Sequence, residues 1–299
     1  MSTRFSTAFR RYVLHPMEAA IAYLAYYGMK MLPIDAASGL GGWLGRIVGP
    51  RLRLSERAHR NLSRAYPDMT AETRAVILAD MWEHLGRVAA EFPHLSGLRI
   101  HEGGNRIEVL NGEILDRIRE SGRPAIFFSG HIGNWELLPH VIIQRRVPLD
   151  FVYRAANNRL VEWLYRSARK PTGGGLIPKG SHGARMLIKT LRKGRSIGML
   201  VDQKMNDGIP VPFFGRDAMT ASALAELALR YDCPIVGIRA ERLAGARFRI
   251  TFFGPFDMPR TGDRSADVKT AMTLVNATLE GWIRDRPEQW LWLHNRWPD

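Results

Sequence analysis

The stretch that most constrains the fold of this chain is residues 124–138, PAIFFSGHIGNWELL. Residues 125–128 form a short uninterrupted apolar run, the pattern of a strand buried on both faces. Ser129-Gly130 breaks the run and presents His131. Gly133 permits a turn, and Asn134-Trp135-Glu136 reads as the start of a helix. A buried strand that turns sharply into a helix belongs to an α/β sheet. Such sheets place their chemistry beyond the carboxyl ends of their strands, where His131 stands.

The rest of the chain repeats this alternation. Residues 51–66 (RLRLSERAHRNLSRAY) have helical spacing and stop before Pro67-Asp68. Thr70 caps a second helix to about Phe92, with Ile77, Met81, Leu85 and Val88 at steps of three and four. Strands are expected at 107–110, 149–154 and 196–201, and a strand pair at 235–240 and 248–253. Helices are expected at 113–120, 157–169, 184–193, 221–230 and 268–284. Residues 172–175 and the Pro- and Gly-containing residues 206–220 read as loops, and 289–294 as a final apolar segment. The fold class is therefore α/β, with a mixed, mainly parallel sheet flanked by helices. Two units are expected: an amino-terminal segment over 1–50 and a catalytic domain over 51–299.

The amino-terminal segment is apolar but interrupted. Residues 19–29 carry no charge, yet a membrane-spanning helix needs about 20 apolar residues. Residues 36–50 (AASGLGGWLGRIVGP) contain Trp43 and one arginine. Arg4, Arg10, Arg11 and Lys30 flank these runs, and Tyr26, Tyr27 and Trp43 punctuate them. This composition suits helices lying in a membrane interface; a short or tilted span, or a helical hairpin packed on the domain, is the alternative.

Charge points in the same direction. Lys and Arg number 43 against 29 Asp and Glu, a formal net charge of +14. An anionic partner is implied: a membrane, a phosphorylated substrate, an acidic protein or nucleic acid. Basic residues interleaved with aromatics on one surface, as nucleic-acid binding requires, are not clustered in the sequence. Cys233 is the only cysteine, so neither an intrachain disulfide nor a cysteine zinc cluster can form.

Candidate catalytic residues are His131 and Glu136. If Asn134 caps the following helix, Glu136 falls in its first turn and can reach back to the imidazole. A carboxylate on one ring nitrogen fixes the tautomer and frees the other nitrogen as a base. The plainer alternative is a capping Asn beside a core-rim His and a Glu compensating the helix dipole. The spacing is neither H-E-x-x-H nor G-x-G-x-x-G. Arg154 and Asp202-Gln203 stand at the ends of other strands, on the same rim as His131, and Arg169 follows on a helix. Arg169 is suited to a phosphate or a carboxylate, and Asp202 is a candidate to hold it.

These residues, in order, resemble the late acyltransferases of lipid A biosynthesis, within the H-x4-E glycerolipid-type acyltransferases. The likeness is carried by RNLSRAYPD (60–68), GHIGNWE (130–136), YRAANN (153–158), DQK (202–204), VPFFGRDAMT (211–220) and PEQWLWLHNRW (287–297). It runs over nearly the whole chain. The resemblance implies His131 as general base with Glu136 as its partner, and Arg169 and Asp202 completing the polar rim of the site, with Arg154 and Gln203 at the strand ends as further substrate-binding candidates. It implies an acyl carrier protein thioester as donor and a hydroxyl of a phosphorylated glucosamine lipid as acceptor. The expected location is the cytoplasmic face of the inner membrane, by peripheral or single-pass attachment. It implies no metal or organic cofactor. A same-fold enzyme acting on a phospholipid, an ornithine lipid or a glycosylated inositol lipid is the alternative.

Overall fold

A computed structural model describes residues 10–101 and 106–297. Arg4 and the side chains of Arg10 and Arg11 lie outside the described residues. The core is a seven-stranded sheet in the order β1-β9-β8-β2-β5-β3-β4. Its strands are β1 (Ile107–Leu110), β2 (Ile126–Ser129), β3 (Leu149–Tyr153), β4 (Gly175–Pro178), β5 (Ser196–Leu200), β8 (Ile235–Ala244) and β9 (Arg247–Phe256). Every neighbouring pair is parallel except β8 and β9. The mixed, mainly parallel sheet expected from the sequence is present.

The run at β2 is buried because both faces are covered. Ile126 and Phe128 pack with helices α8 (Ser181–Arg192), α9 (Ala223–Tyr231) and α10 (Arg264–Asp285). Phe127 points the other way, onto α5 (Glu113–Ser121) and α6 (Leu138–Gln144). This is the period-two alternation of a strand sandwiched between helical layers. Helix α3 (Leu54–Ala65) ends before Pro67, and α4 (Ala71–Glu91) starts at Thr70, whose hydroxyl accepts from the Thr73 amide at 3.2 Å.

One expected loop contains a strand pair, and the other is shortened by one residue. Residues 206–220 contain the antiparallel pair β6 (Ile209–Phe213) and β7 (Arg216–Thr220). Pro210 and Pro212 are exposed and alternate with the buried Val211 and Phe213 along this two-stranded ribbon. Phe214 and Gly215 both take positive φ, the requirement of the tight hairpin turn. Gly175, expected in a loop, instead begins the edge strand β4 beside β3.

At the amino end, α1 (His15–Met31) and α2 (Ile34–Val48) form a helical pair, and α2 packs along α4. The glycines of the apolar run make that approach possible: a Cβ on Gly45 would lie 2.2 Å from the Trp82 carbonyl oxygen, and one on Gly86 2.1 Å from that of Gly41. No helix among the described residues is long and apolar enough to cross a membrane.

Candidate active site

β2, β5, β3 and β4 are adjacent and parallel, so the residues that follow them collect at one rim: His131, Asp202, Arg154 and Lys179. The turn that carries His131 is tightly specified. Gly133 has φ +55°, and a Cβ there would lie 1.9 Å from the Ala240 carbonyl oxygen. The carboxyl-terminal segment straps the same turn: Gly133 donates to the Gln289 carbonyl at 3.0 Å and Leu291 to the His131 carbonyl at 3.1 Å.

Asp202 holds the imidazole. Its Oδ1 lies 2.8 Å from His131 Nδ1, while Oδ2 accepts from the His131 backbone amide at 2.7 Å and from the Trp290 indole at 2.8 Å. Burial of Asp202 pushes its pKa up, but the neighbouring imidazole and these hydrogen bonds outweigh it and hold the carboxyl ionised, well below the usual range. An acceptor-only carboxylate requires the ring proton on Nδ1.

The other side of the ring agrees. Lys179 Nζ, a donor only, sits 2.8 Å from Gln203 Oε1. That fixes the amide so that its nitrogen faces His131 Nε2 at 3.3 Å and His294 Nε2 at 2.7 Å. Nε2 of His131 therefore presents its lone pair toward the cavity. Burial, reinforced by the positive charges of Lys179 and Arg57, lowers the pKa of His294 to about 4, so this second imidazole is neutral. Burial likewise lowers the pKa of Lys179, with Asp202 opposing and Arg154 reinforcing the effect.

Glu136 is not the residue that orients His131. No hydrogen bond joins the two among the described residues. Asn134 does not cap a helix here, and residues 135–137 form a single 3-10 turn. The Asn134 side chain turns inward and donates to Glu91 at 2.7 Å. Glu91 is fully buried and accepts two bonds from Arg242 and one from Ser38. Glu136 instead forms a largely buried ion pair with Arg169, and accepts from the Tyr165 hydroxyl at 3.2 Å. The Arg169 guanidinium lies over the Tyr165 ring, 3.6 Å from its centroid. The expected partners are thus exchanged: Asp202 takes the histidine rather than Arg169, and Glu136 takes the arginine.

All six expected residues reach one rim, but in different roles. His131, Glu136, Arg154, Arg169 and Gln203 line a cavity of about 410 Å³, and Asp202 supports it from behind. Its mouth is basic, with the exposed Arg154 beside Lys179. Its interior is apolar, walled by Phe127, Phe151, Ile142 and Met199. The sequence reading assigned no role to Lys179, Trp290 or His294. Lys179 follows the edge strand β4, which the sequence does not announce, so its place on the rim was not legible. Trp290 and His294 sit in the quoted motif 287–297, but only folding brings them to the histidine. No group of three His, Cys, Asp or Glu among the described residues is placed to hold a metal.

Residues 6–299 match the family model for bacterial lipid A biosynthesis acyltransferases. The chain is 25% identical over 305 residues to the lipid A biosynthesis palmitoleoyltransferase of Escherichia coli K12, covering 96% of this chain and 94% of that protein. It is 24% identical over 311 residues to the lauroyltransferase of the same strain (98% and 94%), and 22% over 279 residues to its myristoyltransferase (92% and 85%). With a match over nearly its full length, this chain belongs to the bacterial lipid A biosynthesis acyltransferase family and is an acyltransferase.

Proposed function

We propose that the enzyme moves a fatty acyl chain from an acyl carrier protein thioester to a hydroxyl of a lipid A precursor, with His131 as general base. The observation that carries this reading is the imidazole itself: Nδ1 held by Asp202, Nε2 turned to a cavity with a basic mouth and an apolar interior. The acceptor hydroxyl displaces Gln203 from Nε2 and gives its proton there as its oxygen attacks the thioester carbon. Asp202 stabilises the imidazolium that forms. The tetrahedral intermediate collapses, the C–S bond breaks, and Nε2 returns the proton to the departing thiolate. An ester and a free carrier thiol result. Lys179, Gln203 and Arg154 supply donors and positive charge near the developing oxyanion. The acyl tail occupies the apolar interior.

The Glu136–Arg169 pair supports the cavity wall rather than the base. Arg154 is the residue best suited to an acidic donor or a phosphorylated acceptor, because it is exposed while Arg169 is committed to Glu136. Residues 1–50 form the membrane-associating segment and 51–299 the catalytic domain. Attachment is peripheral, on the anionic cytoplasmic face of the inner membrane, with which a net charge of +14 is compatible.

The test is transfer from a panel of acyl carrier protein thioesters to a tetra-acyl lipid A precursor. His131→Ala should lose at least about 10³-fold in rate, with the folded circular dichroism spectrum retained. Full activity in that variant refutes the assignment. Mass spectrometry of lipid A from a deletion strain tests the acceptor: an unchanged acyl count redirects the enzyme to another lipid hydroxyl.

A further inference from the structure

The motif at 153–158 ends in Asn158, which the reaction does not use. Asn158 is buried and makes three contacts. Its Oδ1 accepts from the Leu160 amide at 3.0 Å and so caps helix α7 (Arg159–Arg169). Its Nδ2 donates across the chain to α1, to the His15 carbonyl at 2.6 Å and to Glu18 at 3.2 Å. One turn further along, Tyr23 of α1 stacks on Trp163 of α7, with ring centroids 6.3 Å apart and planes 5° from parallel. The Tyr23 hydroxyl donates to the Leu160 carbonyl at 3.4 Å. Helices α1 and α7 are therefore clamped side by side, although about 140 residues separate them in the chain.

Their outward faces are alike. On α7, Leu160 is 48% and Trp163 61% exposed; on α1, Ile21 is 68% and Leu24 78% exposed. Arg159, Arg166 and Lys170 flank the apolar pair on α7, and all three are exposed. Beside them α1, α2, α4 and α7 wall an apolar cavity of about 610 Å³, with the exposed Leu44 and Val48 in its lining. Contiguous exposed apolar surface with a basic border marks an interaction site. Charge alone would equally suit an acidic protein. The apolar cavity and the exposed aliphatic rows favour lipid chains beneath anionic headgroups.

We propose that α7 is a docking element for an anionic lipid bilayer, joined to α1 through Asn158 and the Tyr23–Trp163 stack. The membrane-seated surface thus extends from the first 50 residues into the catalytic domain. The inward face of this same helix carries Tyr165 and Arg169, which hold Glu136, so the docked helix also forms the wall of the active-site cavity. The inference extends the lipid-substrate reading to the surface that meets lipid.

The test uses the full chain and sucrose-loaded vesicles of phosphatidylglycerol and phosphatidylethanolamine, containing neither donor nor acceptor. Failure of this inference is thereby separated from failure of the proposed reaction. The double variant Leu160→Ser/Trp163→Ser should bind the vesicles about tenfold more weakly or worse, while Leu274→Ser, an exposed apolar residue on α10, should match the unaltered protein. Both variants should keep the parent circular dichroism spectrum, the double variant melting only slightly lower through loss of the Tyr23–Trp163 stack while the Asn158 bonds to α1 remain. A fluorophore on Leu160→Cys should shift to the blue when vesicles are added, Cys233 being buried. Unchanged vesicle binding in the double variant, or an unmoved fluorophore, overturns the inference. A double variant that binds vesicles normally but has a raised KM for acyl carrier protein assigns the face to that acidic partner and overturns it equally. So does a dimer of the unaltered chain that the double variant abolishes.

Discussion

The tryptophans of this chain are put to opposite uses at its two ends. In the carboxyl-terminal segment Trp290, Trp292 and Trp297 are essentially buried, at 1%, 0% and 2% exposure. Near the amino terminus Trp43 is 59% exposed, and Trp163 on α7 is 61% exposed. The buried group satisfies its polar atoms internally: the Trp290 indole on Asp202, Trp292 on the Pro287 carbonyl and Trp297 on the Phe213 carbonyl. It packs on the β6–β7 hairpin and on Tyr66, fixing the strap that crosses the His131 turn. The exposed group keeps most of its ring surface open, Trp163 being stacked on one side by Tyr23. Burial within the chain makes a rigid catalytic body, while the uncovered face requires a partner.

Five measurements put that contrast to the test. The largest effect is expected inside the body. Asp202→Asn keeps the shape but loses the charge that fixes the ring tautomer, so kcat should fall on the order of 10³- to 10⁴-fold in the transfer assay. An intact rate would remove Asp202 from the mechanism. Next, Trp292→Ala deletes a fully enclosed ring and should lower unfolding stability by about 3–5 kcal/mol, read by urea denaturation.

Acid should attack the same body before it reaches the exposed face. Burial lowers the pKa of His84 to about 3 and of His140 and His294 to about 4. Once unfolded, each takes up a proton near pH 6.5, whereas the native state does not until well below that. Stability is therefore fully present above about pH 6.5 and is lost as pH falls toward 4. The loss is on the order of 1 kcal/mol per histidine at pH 5.5. Urea midpoints at pH 7.5 and 5.5 measure it, and a flat response would show these rings accept protons in the native state.

Within the cavity, Gly198 faces Phe151 and Leu149 at van der Waals distance. Gly198→Val should shorten the preferred acyl chain, with roughly tenfold discrimination against the longer of two neighbouring thioesters. An unchanged preference would move the acyl tail elsewhere. The smallest stability effect is expected at Trp43: Trp43→Ala should change unfolding free energy by less than about 0.5 kcal/mol. A larger loss would mean the ring is structural and the contrast with Trp292 is false.

Most of the elements were legible in the sequence, because local patterns carry them. The apolar run at β2, the Thr70 cap, Gly122 closing α5 with positive φ and the Asn158 cap all report backbone requirements of their own segments. The β6–β7 ribbon was not legible. Its prolines are poor ladder members, and only the antiparallel register shows that they alternate outward. The rim residues were legible as a set, since parallel strands align their carboxyl ends. Their pairing was not. Glu136 lies five residues from His131 and Asp202 lies 71 away, and the nearer acid was the natural choice for the imidazole. The buried Glu91–Arg242 pair drew Asn134 inward and removed the cap on which that choice rested.

What the sequence determined by itself was the fold class, the strand-end rim and the basic, interrupted apolar amino terminus. Each depends on residue type and spacing within one segment. What the tertiary structure decided was which carboxylate meets which cation, and that α7 joins α1 on an open face. Those outcomes depend on distances between segments far apart in the chain. A hydrogen bond or ion pair falls off over a few ångströms, so only the packed arrangement of the sheet and helices could select among partners that the sequence left equally available.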